Sequence, residues 1–221
     1  MARTRSPKYE DIQLGILRKA ARLFATHGYE RTSIGDLVRA CDLSRGAIYH
    51  YFESKEAILF AMLDSLVHGL HERLIEAAAE VDEPVARLER IIAAFVAYNA
   101  ESPDEQAILL NDLGALSRSE QKQIKQIETE IVELVADAIA AVDARGAITP
   151  QTRKVYTMLL FGMINFTYTW YDAKGAVKPK AFAEMASDLF LNGFLAKPTT
   201  AARGRCSRPR PRRGRPFGGR R

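Results

Sequence analysis

Between residues 32 and 55 the chain reads Thr-Ser-Ile-Gly-Asp-Leu-Val-Arg-Ala-Cys, then Asp-Leu-Ser-Arg-Gly-Ala-Ile-Tyr-His-Tyr-Phe-Glu-Ser-Lys. This run accommodates two short helices and a tight connection. Ser33 is placed to cap the first helix, with Asp36 as a capping-box-like partner three residues on. Ile34, Leu37, Val38 and Ala40 supply its apolar face. Asp42 and Leu43 make the turn, and Ser44 is placed to cap a second helix through Arg45, Gly46, Ala47, Ile48, Tyr49 and His50. That is the layout of a helix-turn-helix, whose second helix lies in the major groove of DNA.

The charge is unevenly spread. The net charge of +5 divides into +4 for residues 1–55, −8 for residues 56–198 and +9 for residues 199–221. A basic head precedes an acidic body, so a polyanion partner suits the head and not the body. The 221 residues, 47% of them hydrophobic, suffice for a real core. No apolar run approaches the roughly 18–20 residues of a membrane span, and no membrane partner is expected. The start lacks the apolar segment of a secretory signal. Two cysteines, Cys41 and Cys206, argue against a disulfide framework and fit a reducing cytoplasm.

Along the chain, residues 1–8 read as a basic arm. Residues 9–27 carry Ile12, Ile16, Ala20, Leu23 and Phe24 at helical spacing, and Gly28 follows as a helix terminator. Ser54 is placed to cap a long periodic stretch from Ile58 to Ile75. Further helices follow. Asp82 and Pro84 open one holding Leu88 to Tyr98, and a capping box at Ser102 opens another. A second capping box, Ser117 with Glu120, leads a helix carrying Ile124 to Val142, which Gly146 stops. Thr149 and Pro150 open a helix running through Met158 and Asn165 to Trp170 and Tyr171. A last helix carries Phe182, Met185, Leu189 and Phe190. No segment alternates with a period of two. The expected fold is all-α, with a three-helix helix-turn-helix head, a helical body and about nine helices. The expected divisions are a DNA-binding domain at 1–53, an effector-binding and dimerisation domain at 54–197, and a disordered Arg/Pro/Gly-rich tail at 198–221. The tail reads either as an end without a task or as an auxiliary arm adding salt-sensitive affinity for nucleic acid.

The chemistry of the head stands on its residues. Thr32, Ser33 and Ser44 lie at helix N-termini, where a hydroxyl either caps the helix or binds a phosphate. Arg45 is placed either to read guanine bidentately or to sit as a solvated surface charge. Gly46 permits close approach of the helix to DNA. Cys41 reads as a buried core thiol. His68 and His71 lie three apart on one helix, which a solvated face explains better than a metal site. No catalytic constellation, Gly-rich phosphate loop or cofactor motif is present, so no enzyme, metal or cofactor is expected.

Phe24, Gly28, Tyr29, Thr32, Ser33, Ile34, Leu37, Ala40, Leu43, Ser44, Gly46, Tyr49, Tyr51, Phe52, Lys55 and Leu59 together resemble the tetracycline-repressor (TetR/AcrR) family of bacterial regulators. The resemblance covers the first quarter of the chain, and the body agrees in length and helix rhythm. It implies that Tyr49, His50 and Lys55 face DNA phosphates. It also implies a pocket in the body, for which Phe95, Tyr98, Asn99, Asn111, Asp112, Met163, Asn165, Phe166, Tyr168 and Trp170 are candidates. Residues 158–171 resemble a subgroup answering acyl- or aryl-CoA thioesters, such as phenylacetyl-CoA. The last two helices are apolar on more than one side, through Leu159, Phe161, Met163 and Ile164, then Phe182, Met185, Leu189 and Phe190, so the excess must be buried on a second surface, either the core of a larger body or a partner chain. The resemblance implies pairing with the same helices of a second subunit. The expected partners are therefore double-stranded operator DNA, a second copy of the chain and a small-molecule effector that releases repression. Two readings from other classes are a non-specific nucleic-acid architectural protein using the tail and an all-α acyl-CoA-binding or thioesterase-type protein.

Overall fold

The computed structural model of the chain describes residues 7–143 and 146–195. The greater part of the basic arm and the Arg-rich tail expected at 198–221, with Cys206, lie outside the described residues. Among the described residues are nine α-helices, two short 3-10 turns and no strand. No helix among them is long and apolar enough to cross a membrane.

The head is built from α1 (Pro7–His27), α2 (Ile34–Cys41) and α3 (Arg45–Tyr51). Helix α1 ends at Gly28, whose φ of +85° suits a residue without a Cβ. At the start of α2, Ser33 Oγ accepts from the Asp36 amide at 3.2 Å, and the Asp36 carboxylate accepts from the Ser33 amide at 2.8 Å. The capping box read from sequence is formed. Asp42 then turns the chain in the left-handed region with φ 54°, a conformation that Asp tolerates better than most residues. Ser44 caps α3 by accepting from the Ala47 amide at 3.1 Å.

Ser54 caps α4 (Lys55–Ala79), accepting from the Ala57 amide at 3.0 Å. Its 25 residues run through two cores. Ile58, Leu59, Met62, Leu63, Leu66 and Val67 join Ile16, Phe24, Leu37 and Ile48 of the head. Leu70 and Leu74 belong with the body, among Leu88, Ile92, Phe95, Val135, Ile139, Leu160 and Phe190. The head's core also takes in Ile108 and Leu109, so it extends beyond the first three helices.

The body continues with α5 (Pro84–Glu101), α6 (Pro103–Asp112), α7 (Arg118–Ala141), α8 (Arg153–Asn165) and α9 (Pro179–Leu195). Ser117 and Glu120 form the expected capping box of α7. Three local readings are corrected. The cap of α5 is Glu83, whose carboxylate accepts from the Val85 and Ala86 amides at 3.0 and 2.7 Å, rather than Asp82. Ser102 makes no side-chain cap for α6. It closes α5 at the same time, donating its amide to Tyr98 O, with φ −132° and ψ 52° rather than the extended conformation of a capping serine. Helix α8 stops at Asn165 instead of continuing to Tyr171. Beyond it the chain tightens into a 3-10 turn over Phe166–Thr169, in which the Thr167 and Thr169 hydroxyls donate to Ile164 O and Phe166 O at 2.7 and 2.8 Å. Such hydroxyls offer the backbone an alternative to a continued helix.

Close packing of α4 on α5 depends on Gly69. The Tyr98 hydroxyl donates to Leu66 O at 3.0 Å, and its ring lies against Gly69, where an added Cβ would collide with the hydroxyl. Arg73 stands over the same ring at 5.3 Å and pairs with Glu101 at 2.9 Å. Gly69→Ala gains about 1 kcal/mol of helix propensity but forces the helices apart, an overpacking that costs about 1–3 kcal/mol before the lost hydrogen bond is counted. Thermal unfolding of the variant is expected to show a Tm several degrees below the parent; a raised Tm would mean that α5 yields without strain.

Candidate functional site

The outer side of α3 presents Arg45, Gly46, Tyr49 and His50, all exposed, while Ile48 on the opposite side is fully buried. A helix of seven residues has little stability of its own, so the burial of Ile48 and the Ser44 cap hold this face in place. The Arg45 guanidinium lies 5.9 Å from the Tyr49 ring centroid, a stacking that orients both side chains outward. His50 meets the Tyr9 and Tyr51 rings edge-on at 5.9 and 5.3 Å.

Lys55, the first residue of α4, is held at two points. Its ammonium donates to Tyr29 O at 3.0 Å and sits 4.1 Å from the Tyr29 ring centroid. Burial pushes the Tyr29 phenol far above its ordinary range, and the neighbouring Glu56 carboxylate, which accepts from it at 3.3 Å, pushes the same way. The phenol thus stays protonated, and the uncharged ring faces Lys55. Ser33 is exposed but committed to the α2 capping box. Thr32 departs from the expectation that its hydroxyl caps a helix or binds a phosphate. It is 2% exposed and donates to Gly28 O at 2.9 Å, because it ties the end of α1 to the start of α2.

The body holds a cavity of about 550 Å³ between α4, α5, α6, α7, α8 and the 3-10 turn that follows. Its walls are largely apolar, with Val67, Leu70, Phe95, Leu109, Ile131 and Phe161 among the lining residues, and its polar side chains are Gln106, Glu128, Asn165 and Tyr168. Of the expected pocket residues, Phe95, Asn165, Phe166 and Tyr168 line it. The others lie elsewhere. Tyr98 is clamped between α4 and α5. Asn99 stands behind Asn165, donating to its side-chain carbonyl at 3.3 Å, with its own Oδ1 buried and unpartnered. Asp112 ends α6 outside the lining, its carboxyl held above the usual range by burial and by Glu30. Met163 packs against the body core, because it occupies the side of α8 away from the cavity. Trp170 is 62% exposed beyond the 3-10 turn and meets Tyr171 and Phe182 edge-on at 6.0 and 5.9 Å.

On the outer surface Leu159, Met185 and Leu189 are 58%, 55% and 70% exposed. Three residues expected beside them are placed differently. Phe161 faces inward, lining the cavity and meeting Phe95 edge-on at 5.2 Å. Phe190 is buried in the body core, and Phe182 is half-buried against Tyr171. Phe190 is turned by about 100° around its helix from Leu189, and Phe161 by about 200° from Leu159, so each of these two helices serves two surfaces with different faces.

Sequence reasoning passed over Gln106 and Glu128. Both carried a readable signal. Gln106 shares a helical stripe with Leu109 and Leu110, and Glu128 lies between Ile124 and Ile131 on the apolar side of α7. Among the described residues no group of three or more His, Cys, Asp and Glu side chains is placed to hold a metal ion.

Comparison with known proteins bears on both ends of the chain. Residues 16–62 match the family described as bacterial regulatory proteins, tetR family, and residues 81–194 match the tetracyclin repressor-like C-terminal domain. A TetR-family transcriptional regulator from Bordetella parapertussis 12822 has a similar structure. It is 40% identical, with 86% of this chain and 99% of that one covered and a TM-score of 0.80. The HTH-type transcriptional regulator HbdR of Aromatoleum sp. (strain CIB) is 26% identical over 178 residues, 80% of this chain and 74% of HbdR. AibR, solved in complex with isovaleryl coenzyme A and operator DNA, shares the fold at 24% identity and a TM-score of 0.70, with 80% of this chain and 97% of AibR covered.

The Asn99–Asn165 pair gives an asymmetric expectation. Asn165→Ala removes the acceptor from a buried amide and is expected to destabilise by about 1–3 kcal/mol. Asn99→Leu removes an orphaned carbonyl oxygen along with the amide and is expected to be near neutral. Chemical denaturation of the two variants measures the difference, and equal losses would contradict it.

Proposed function

This chain belongs to the tetR family of bacterial regulatory proteins, and on that footing we propose that it represses transcription as a homodimer on a near-palindromic operator, released by a small molecule bound in the body. The observation that carries the DNA-binding part is the outward face of α3, where Arg45, Gly46, Tyr49 and His50 are exposed over a buried Ile48. Arg45 reads a base edge, Gly46 admits the backbone close to the groove, and Ser44, Tyr49, His50 and Lys55 meet phosphates, with Thr32 and Ser33 bracing the entry to α2. The functional divisions are 1–53 for DNA binding, 54–197 for effector binding and dimerisation, and 198–221 as the tail. A cytoplasmic site of action follows from the DNA target.

The exposed Leu159, Met185 and Leu189 support burial against a second copy. Two-fold symmetry then sets the two α3 helices roughly 34–36 Å apart, one turn of DNA. The cavity supplies the effector site, and its walls supply the coupling. Val67 and Leu70 belong to α4, while Gln106, Leu109 and Leu110 belong to α6, and both helices pack on α1 of the head. An effector that favours one arrangement of α4 and α6 shifts the heads by the difference in its affinity for the two states.

A finer reading makes the effector an acyl- or aryl-CoA thioester, phenylacetyl-CoA among them. It rests on the resemblance of residues 158–171 to regulators of that kind, and this segment lends Met158, Phe161, Gly162, Asn165, Phe166 and Tyr168 to the cavity. Only the acyl or aryl end would lie inside. Among the described lining residues there is no Lys, Arg or His to meet the phosphates of coenzyme A.

With an operator recovered by selection from random duplexes, Arg45→Ala is expected to weaken binding at least about tenfold, the lower end of a bidentate base contact, while leaving the sedimentation of the free protein unchanged. Undiminished affinity would remove α3 from the reading role. For the finer reading, the melting temperature is expected to rise with acyl- or aryl-CoA, roughly with the logarithm of ligand concentration over Kd once ligand exceeds Kd, and not with coenzyme A alone. Equal shifts with both would remove the acyl group from the cavity.

A further inference from the structure

The cavity's single charged wall residue tells what kind of molecule it accepts. This inference rests on the reading of the cavity as the effector site and stands as an alternative to a CoA thioester as its occupant. Tyr168 Oη is engaged by Asn111 Nδ2 at 3.3 Å, and Asn165 Oδ1 by Asn99. Gln106 is neutral. Glu128 projects from α7 beside Ile131 and Val132, which line the same wall. Among the described residues its carboxylate has no hydrogen bond and no ion pair. The cation nearest to it in sequence, Lys125, is exposed one turn earlier on α7.

Glu128 is half-buried, and a carboxylate set against an apolar wall loses part of its hydration and, left unpaired, is not compensated for that part. Burial accordingly holds the Glu128 carboxyl above its ordinary range, against the weaker opposing pull of Lys125. An occupant that is merely apolar would finish the desolvation and make this worse. An anionic occupant would add repulsion with no cation in the lining to offset it. An occupant with a protonated nitrogen removes the deficit by forming a charge-assisted hydrogen bond in a medium of low dielectric.

We propose that Glu128 is the polar anchor of the cavity and that the effector is a mainly apolar molecule carrying a protonated amine, its ammonium paired with this carboxylate and its hydrocarbon part lying among Phe95, Leu109, Ile131 and Phe161. The other acids with raised carboxyl groups do not compete for this role. Glu105 lies in a separate cleft with Leu14, Leu17 and Arg18 of α1, and Asp112 is outside the lining.

The test uses the full chain and a matched series of phenylhexylammonium, phenylhexanol, phenylhexanoate and phenylacetyl-CoA, titrated by calorimetry. The ammonium compound is expected to bind at least about tenfold more tightly than the alcohol, the worth of a charge-assisted over a neutral contact, with the two anions weaker still. Glu128→Gln, which keeps the shape and removes the charge, is expected to bring the ammonium within about twofold of the alcohol. Glu128→Asp is expected to preserve the preference. Equal binding of ammonium and alcohol by the parent, or a preference that persists in Glu128→Gln, would overturn the anchor while leaving the cavity as the effector site. Tightest binding of phenylacetyl-CoA or phenylhexanoate would overturn it in favour of an anionic effector. If none of the four compounds binds, the effector-site reading falls and the anchor falls with it.

Discussion

Helix α4 has to satisfy two cores at once. Over its 25 residues, about 37 Å at 1.5 Å per residue, one apolar stripe passes from Ile58 and Leu63 among the head helices to Leu70 and Leu74 among the body helices. Fully burying each such side chain stabilises by roughly 1.5–3 kcal/mol, so neither end detaches without losing several of these contributions. The helix is also unbroken between them, since Gly69 sits mid-helix for the sake of Tyr98 rather than as a hinge. Movement of the body end is therefore delivered to the head end as a rigid displacement.

That rigidity gives the two chemical surfaces a common frame. At one end, the Ser54 cap and the Tyr29 ring fix Lys55 at the foot of α4, shortly after α3. At the other, Val67 and Leu70 of the same helix form part of the cavity wall. Helix α6 supplies a parallel route, with Leu109 counted both in the head's core and in the cavity lining. On the proposed mechanism an effector acts where these helices meet, and its leverage is limited to its preference between two arrangements of them. Modest charge in the head fits this view. On the proposed reading, specificity resides in where Arg45 and Tyr49 are held more than in how many cations surround them.

The architecture was largely legible in the sequence because its signals are local. Capping serines at 33, 44, 54 and 117 and the glycine at 28 mark helix ends through interactions within a few residues. Legibility failed where one residue had two neighbours to serve. Ser102 closes one helix as the next begins, and Thr167 and Thr169 divert carbonyls that a continued helix would have used. The α3 face was readable because exposure alternates around a helix with a known buried side. The cavity was not, since aromatic residues at helical spacing look alike whether they face a void, a core or a partner. Phe95 and Phe161 line the cavity, Phe190 is buried in the core and Trp170 is exposed. Glu128 could have been found as the charge that interrupts the stripe of Ile124 and Ile131.

The central claim is that occupancy of the body sets the separation of two heads on a dimer. A spin label at position 22, exposed on α1, in a background without Cys41 and Cys206, measures that separation directly by pulsed dipolar spectroscopy. The account predicts one narrow inter-protomer distance with operator bound and a displaced or broadened distribution when phenylhexylammonium is added. Absence of any inter-protomer coupling, or a distribution that ligand leaves unchanged while operator is released, would contradict it.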